Sequence, residues 1–410
     1  MVLRVNALAP LRGREFRLLF AARVVSFLGS AMAPVALAFA ILDLTGSTSD
    51  LGFVLAARLV PQVLFLLAGG VWSDRLPRHR VMVSANVGSG AAQAAVALLL
   101  LTGHARIWEL AALSAVNGAT SAFFFPASQG IVPQTVPDEL RQQGNALLRL
   151  GLNSSGIAGG ALGGLIVAGT SPGTAIAIDA GTFLAAAALT RAMRVAPAGS
   201  EPSTFLSDLR AGWTEFSSRT WLWAIVLQFA FVNALCSGAE NVLGPVVAKS
   251  HLGGAAAWGS VLASQTAGLV AGGLVMLRFH PARLLRTGVA AIFLAFPFLA
   301  ALAIPLPLAA IAALALTAGL GIEIFSVMWD TCMQQEIPAD RLSRVYGYDM
   351  LGSVVLIPVG YATVGPLASA IGTSETLWLS FAICVAVTVA TLAVRDVREL
   401  GRAAVIPPTP

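Results

Sequence analysis

The chain has 410 residues, 57% of them hydrophobic and 11% charged, with a net charge of +5 and a mean hydropathy of +0.81. A soluble domain carries about 25% charged residues, so a chain this poor in charge has to turn most of its surface to lipid. The positive balance does not indicate nucleic acid as a partner, because the arginines sit in short stretches between apolar runs rather than along one stripe.

Met1 to Arg17 carries basic residues but no short apolar region followed by a small-residue cleavage site, so the first apolar run is expected to be retained. At about 20 residues per crossing, the apolar runs predict twelve membrane spans: 16–42, 51–72, 81–102, 107–129, 144–169, 174–193, 219–247, 255–279, 284–303, 306–331, 344–371 and 374–394. The predicted class is an all-α membrane protein. The only extended polar stretch, 194–218, contains Pro197, Gly199, Ser200 and Pro202 and divides the spans six and six. The expected organisation is a six-helix bundle over 1–193, a linker over 194–218, a second bundle over 219–402 and a tail over 403–410. With the N-terminus inside, the inner ends and loops hold 20 of the 25 basic residues, and the outer loops hold Arg106 and Lys249. Positive charge favours the cytoplasmic side, so both termini are expected there, in a multi-pass protein of the inner (cytoplasmic) membrane.

Between the second and third spans lies Gly69-Gly-Val-Trp-Ser-Asp-Arg-Leu-Pro-Arg-His-Arg-Val-Met82. Its charges are costly in hydrocarbon and Pro77 interrupts a helix, so it predicts a tight basic hairpin. Gly69, Gly70 and Arg75 recur as Gly272, Gly273 and Arg278, and Arg80 as Arg283, at a constant spacing of 203 residues. Gln134, Pro137 and Gly151 recur as Gln335, Pro338 and Gly352 at a spacing of 201. The even spacing on either side of the linker predicts a duplicated six-helix unit, with the copies parallel because each has an even number of spans.

The hairpin resembles the signature G-x-x-x-D-R-x-G-R-R/K between helices 2 and 3 of the major facilitator superfamily. Gly70, Asp74, Arg75, Arg78 and Arg80 match it, and Pro77 replaces a glycine. Phe123-Phe-Phe-Pro-Ala-Ser-Gln-Gly-Ile-Val-Pro133 and Pro137-Asp-Glu-Leu-Arg-Gln-Gln-Gly-Asn145 are similar to the end of helix 4 and its loop in bacterial drug and siderophore exporters of that superfamily, such as enterobactin and macrolide exporters. The run Gly159-Gly-Ala-Leu-Gly-Gly164 resembles the G-P-x-x-G-G antiporter motif of helix 5, with Gly160 for proline. Close packing of helix 5 on helix 8 through Gly159, Gly160, Gly163 and Gly164 is its physical use. Asn117-Gly118 fit the end of an R-x-x-Q-G motif in helix 4, but Ser114 stands at the arginine position, which puts arginine-based proton coupling in doubt. The resemblance implies the major facilitator fold, a monomer, and a secondary transporter working by alternating access.

Titratable side chains within spans are functional candidates. Glu240 and Glu323 lie deep in the seventh and tenth spans with no opposite charge three or four residues away, so each is a candidate to carry a proton. Arg149 and Asp349, 200 residues apart near the starts of the fifth and eleventh spans, are expected to serve in ion pairing or gating, as is Asp330 at the inner end of the tenth. In the implied fold Asp74 faces the positive end of helix 11, and Arg75 and Arg78 reach Asp349 and Asp330. Asp179, near the start of the sixth span, reads as a helix cap or a peripheral group. The expected cavity is apolar with polar spots at Arg23, Ser26, Arg58, Asn117, Gln228, Asn233, Asn241 and Gln265, with Phe124 as an aromatic contact. Such a lining suits a bulky amphipathic small molecule better than a sugar.

Other classes fit less well. The single lysine, Lys249, lies in Leu243-Gly-Pro-Val-Val-Ala-Lys-Ser250, which lacks a phosphate-binding loop, so no ATP-driven pump is expected. Four histidines scattered over loops on both sides (His79, His104, His251, His280) argue against an enzyme, and Cys236, Cys332 and Cys384 show no metal-ligand spacing. No metal or cofactor is expected. Duplicated halves favour a transporter over a channel. Proton-coupled export of a drug, antibiotic or siderophore is the leading expectation, and an importer or facilitator of a small metabolite is the alternative.

Overall fold

The structure is a computed structural model that describes residues 8–137, 140–195, 213–279 and 281–400; within these, the side chains of 66–75, 142, 339–340 and 342–344 lie outside the described residues. Twelve helices among the described residues are long and apolar enough to cross a membrane. They are α1 (Arg14–Leu44), α2 (Thr48–Arg75), α3 (Arg78–Leu101), α4 (Ile107–Gly130), α5 (Arg141–Gly169), α6 (Pro172–Arg191), α7 (Thr220–Leu252), α8 (Ala255–Met276), α9 (Leu284–Ala303), α10 (Leu308–Glu336), α11 (Ala339–Val354 continued as Ile357–Ile371) and α12 (Thr373–Ala393). Each coincides with a span read from the sequence. Large apolar side chains such as Leu64, Leu98, Leu165 and Leu274 are exposed on them, as a lipid-facing surface requires.

Prolines and caps explain the local departures. The α2–α3 turn is only Leu76-Pro77, with Pro77 at the N-cap of α3, because its ring cannot continue α2. Pro297 interrupts α9 behind a single 3-10 turn, Ile292–Leu294. Pro358 follows the break in α11 at residues 355–356. Ser171 caps α6 by accepting the backbone N–H of Thr174 at 3.2 Å. At the other end of α6, Arg14 donates to the Ala192 carbonyl at 3.0 Å, and Glu15 accepts the Arg194 N–H at 2.8 Å.

The chain forms two compact units, which follow the two sequence halves only in part. Unit 1 comprises 1–202 together with 241–263 and 361–366, so the end of α7, the start of α8 and a segment of α11 belong with the first six helices. Unit 2 comprises 203–240, 264–360 and 367–410. Inside unit 1, α1 packs on α5 and α6, α3 on α4 and α6, and α2 on α4. Inside unit 2 the same scheme recurs six helices later: α7 packs on α11 and α12, α9 on α10 and α12, and α8 on α10. That recurrence is the three-dimensional form of the sequence repeat.

Helices in lipid gain little from hydrophobic burial against one another, so close van der Waals contact at small residues holds them. Gly118 of α4 sits on the Arg58 carbonyl of α2, and a methyl group there would overlap it. Gly319 of α10, 201 residues on, sits in the same way on the Gln265 carbonyl of α8. A second anchor closes unit 2 near residue 215. Glu215 accepts Arg219 at 2.6 Å and Arg341 at 2.8 Å, while Trp213 and Phe216 lie against Tyr348.

Gly118→Ala is expected to lose about 1–3 kcal/mol to overpacking, seen as a lower thermal unfolding midpoint in detergent. Gly181→Ala, where an added methyl meets nothing within 4 Å, should leave the midpoint in place. The two arginines hold the Glu215 carboxyl below the ordinary glutamate value of 4.5. Its contribution to stability is therefore present above that value and lost as pH falls through the lower folded value. Thermal midpoints taken on descending from neutral pH to below 4.5 should fall less steeply for Glu215→Gln than for wild type.

Candidate functional site

Helix α7 is not regular. It widens to a π-turn over Ala239–Leu243 and again over Ala248–Leu252, with Pro245 between them. An inserted π-turn frees backbone groups and often marks a working site. Glu240 is the second residue of the first π-turn, and its carboxylate accepts Gln265 Nε2 of α8 at 2.9 Å. Glu323 lies midway along α10 against the other end of α8: a methyl on Gly272 would meet its Cβ and the Leu320 carbonyl at 2.8 Å each. The two glutamates therefore border one helix within unit 2, at positions seven residues apart on α8, or about 10 Å. Gln265, expected as a cavity lining residue, is the positioning partner of Glu240. The repeated Gly272 lets α10 bring Glu323 close.

Asp330 and Asp349 also meet in unit 2. Tyr346 donates to Asp330 at 3.0 Å; Trp329 Nε1 donates to Asp349 at 3.0 Å and Ser353 at 3.4 Å. The side chain of Arg75, expected to reach one of these carboxylates, lies outside the described residues. Trp329 continues a ring stack from Phe325, which stacks on Phe229 at 4.3 Å. No sequence pattern marked these rings. Gln228 is buried and donates to Thr388 of α12 at 3.1 Å, and Asn233 donates to the Ser353 carbonyl of α11 at 2.9 Å. These two residues join helices of unit 2.

In unit 1 the glycine run of α5 makes two seams. Gly159 and Gly163 face α1, against the Leu28 carbonyl and Met32, while Gly160 and Gly164 face the start of α8 at Ala255 and Gly259. A methyl on Gly164 would stand 2.5 Å from the Ala255 carbonyl, but one on Gly160 would meet nothing nearer than 3.6 Å. The end of α1 is tied to the end of α7 by Lys249, which donates to Asp43 at 2.5 Å and to the Leu42 carbonyl at 2.9 Å. Gly52 and Gly365 bring α2 and α11 into backbone contact.

The polar candidates of unit 1 lie inside it. Arg23, Ser26 and Asn117 are buried and Arg58 is half-buried; among the described residues neither side-chain polar atom of Asn117 has a hydrogen-bond partner. Phe123 and Phe124 are half-buried and both pack against the core of Phe16, Met82, Ile131 and Leu148; Phe123 also stacks on Phe65, and Phe125 is 44% exposed. Asp179, expected as a cap or peripheral group, is 0% exposed and accepts Gln93 of α3 at 2.6 Å, and the cap of its helix is Ser171. Arg78 donates to the Gly130 carbonyl at the end of α4, where the helix dipole favours a cation. Arg80 and Arg149 are exposed and Asn241 is half-buried. Gly70, Asp74 and Arg75 lie where the backbone of α2 is helical, but their side chains are outside the described residues.

The sequence model of the Major Facilitator Superfamily matches residues 19–361. The chain belongs to that superfamily. It is 28% identical over 382 residues to the multidrug efflux pump Tap of Mycolicibacterium fortuitum, covering 89% of this chain and 91% of the pump. It is 22% identical over 413 residues to macrolide efflux protein A of Streptococcus pyogenes, covering 94% and 97%. Among solved structures the nucleoside transporter NupG superposes with a TM-score of 0.73 at 12% identity, covering 92% of this chain and 99% of that one. An inward-facing bacterial homolog of the human lysosomal transporter Spinster superposes at 0.72 and 14% identity. At those identities the structures share the fold alone.

As a major facilitator the protein is a multi-pass membrane transporter of small molecules and not an enzyme. Within such a transporter the α5–α8 glycine seam decides how closely the two helices approach. Gly164→Ala is expected to lose about 1–3 kcal/mol to overpacking against the Ala255 carbonyl, read as a lower thermal unfolding midpoint in detergent. Gly160→Ala, whose methyl meets nothing nearer than 3.6 Å, should keep the wild-type midpoint.

Proposed function

We propose that this major facilitator exports an amphipathic small molecule, a drug, antibiotic or siderophore, in exchange for protons. Glu240 carries the reading: a carboxylate on a π-turn of α7, held by a neutral amide, is built to change protonation as its helix moves. The near full-length match to efflux relatives supports the direction of transport. The charge bias of the loops supports a reading with both termini in the cytoplasm, the protein acting as a monomer in the inner membrane. On that orientation the α1–α2 and α7–α8 turns are external. The Lys249–Asp43 bridge and the Gly52, Gly164 and Gly365 contacts of unit 1 then lie toward the outer side. Both ends of the bridge are about half exposed, so its energy is at most about 1 kcal/mol, small enough to break in each cycle. Glu323 serves as the second coupling carboxylate; Asp330, Asp349 and Arg149, with the α2–α3 turn of Gly70, Asp74, Arg75, Arg78 and Arg80, regulate the inner side. Arg23, Ser26, Arg58, Asn117 and Asn241 offer polar contacts to the solute.

In everted vesicles holding a respiratory pH gradient, erythromycin or ethidium should accumulate inside and dissipate part of the gradient. Glu240→Gln and Glu323→Gln should each abolish that dissipation. Full coupling in both variants would remove these residues from the proton path, and exit of the probes from the vesicles would reverse the direction to import.

A further inference from the structure

Unit 1 holds a buried carboxylate that the transport reading above does not use. Asp179 sits two turns into α6 with 0% of its surface exposed. Its Oδ2 accepts Gln93 Nε2 of α3 at 2.6 Å, and its Oδ1 has no hydrogen-bond partner among the described residues. The neighbouring Thr182 hydroxyl donates to the backbone carbonyl of Asp179 at 2.7 Å. From α1 the facing residue is Gly29, where a methyl group would stand 2.7 Å from Oδ1, so the carboxyl occupies the space a side chain would take. Among the described residues, Arg58 of α2 is the charged group within electrostatic reach. The other interior cation of these helices, Arg23, lies six residues before Gly29 on α1, or about 9 Å along the axis.

An ionised carboxylate in hydrocarbon is expensive unless its oxygens are hydrogen-bonded or paired. Here one oxygen is hydrogen-bonded by an amide, and the other lies beside the Thr182 hydroxyl, whose hydrogen bond goes to the Asp179 backbone carbonyl. A proton bound at Oδ1 removes the charge without moving any helix. Its release leaves an anion held by the Gln93 amide and the field of Arg58. Arg58 is itself placed by the contact of its carbonyl with Gly118, so a shift of α2 against α4 changes the field at Asp179.

We infer that Asp179 is a proton-binding site of the first unit, with Gln93 as the fixed donor to Oδ2, Oδ1 as the atom that gains and loses the proton, and Arg58 as the counter-cation. The inference rests on the proton-coupled reading for its role in transport and adds an acid in the first half to those of the second. The transfer is a simple exchange of one proton with water, with no other bond made or broken.

The test needs no transported solute. Infrared difference spectra of the purified full-length protein in lipid nanodiscs report the carbonyl stretch of protonated carboxylic acids as pH is raised. Asp179→Asn should lose the share of that band belonging to one carboxyl group, and Asp179→Glu should keep a band displaced in frequency. In Arg58→Gln the band should persist to higher pH. Wild-type and Asp179→Asn spectra that superimpose throughout the titration would overturn the inference, as would an Asp179→Glu band identical to wild type should Asp179→Asn fail to fold. The vesicle assay separates the two readings: an Asp179 that titrates while Glu240→Gln and Glu323→Gln still couple leaves this site standing and removes the coupling acids, and the converse result does the opposite.

Discussion

Contact between helix backbones at glycine is the constraint on which the rest of this structure depends. Lipid gives helices no hydrophobic reason to associate, so van der Waals contact and a few polar bonds have to hold them. The glycines are also what place the ionisable groups. Gly118 carries the Arg58 carbonyl and so sets the cation that faces Asp179; Gly319 carries the Gln265 carbonyl, and Gln265 holds Glu240; Gly272 brings α10 close enough for Glu323 to lie along α8. Packing and chemistry are thus the same contacts seen from two sides.

This coupling suits a transporter. A glycine seam has no interdigitating side chains, so two helices in contact along one can slide with little obstruction. Bonds across such a seam are single and weak: one amide on Glu240, one exposed ion pair between Lys249 and Asp43. The π-turns and Pro245 of α7 add a place where the backbone itself can change its winding.

The duplicated architecture distributes these devices unequally. Both six-helix halves pack their helices in the same order, and both put a glycine on a neighbouring carbonyl at the equivalent place in α4 and α10. The side chains carried by those backbones have diverged. The first unit has Arg58 with a buried aspartate, and the second has Gln265 with a half-buried glutamate. Conserved packing with changed polar groups is what a duplication yields when the fold has to be kept and the two halves take different work.

The sequence alone determined the twelve spans, their bounds to within a few residues, the repeat and the tight α2–α3 turn. Hydropathy, proline and glycine act locally and leave their mark in the order of residues. It also named Glu240, Glu323 and the α5 glycines, since a charge or a glycine run within an apolar span stands out by itself. Which partner each residue meets was decided only by the tertiary structure. Gln93 and Asp179 are 86 residues apart, and Gln265 and Glu240 are 25 apart on different helices. The rotation of a helix about its axis decides whether a side chain faces lipid, core or another helix, and in spans apolar on every side no periodicity records that rotation. The half-buried place of Phe124 beside the core and the buried three-helix contact of Asp179 were therefore set by packing.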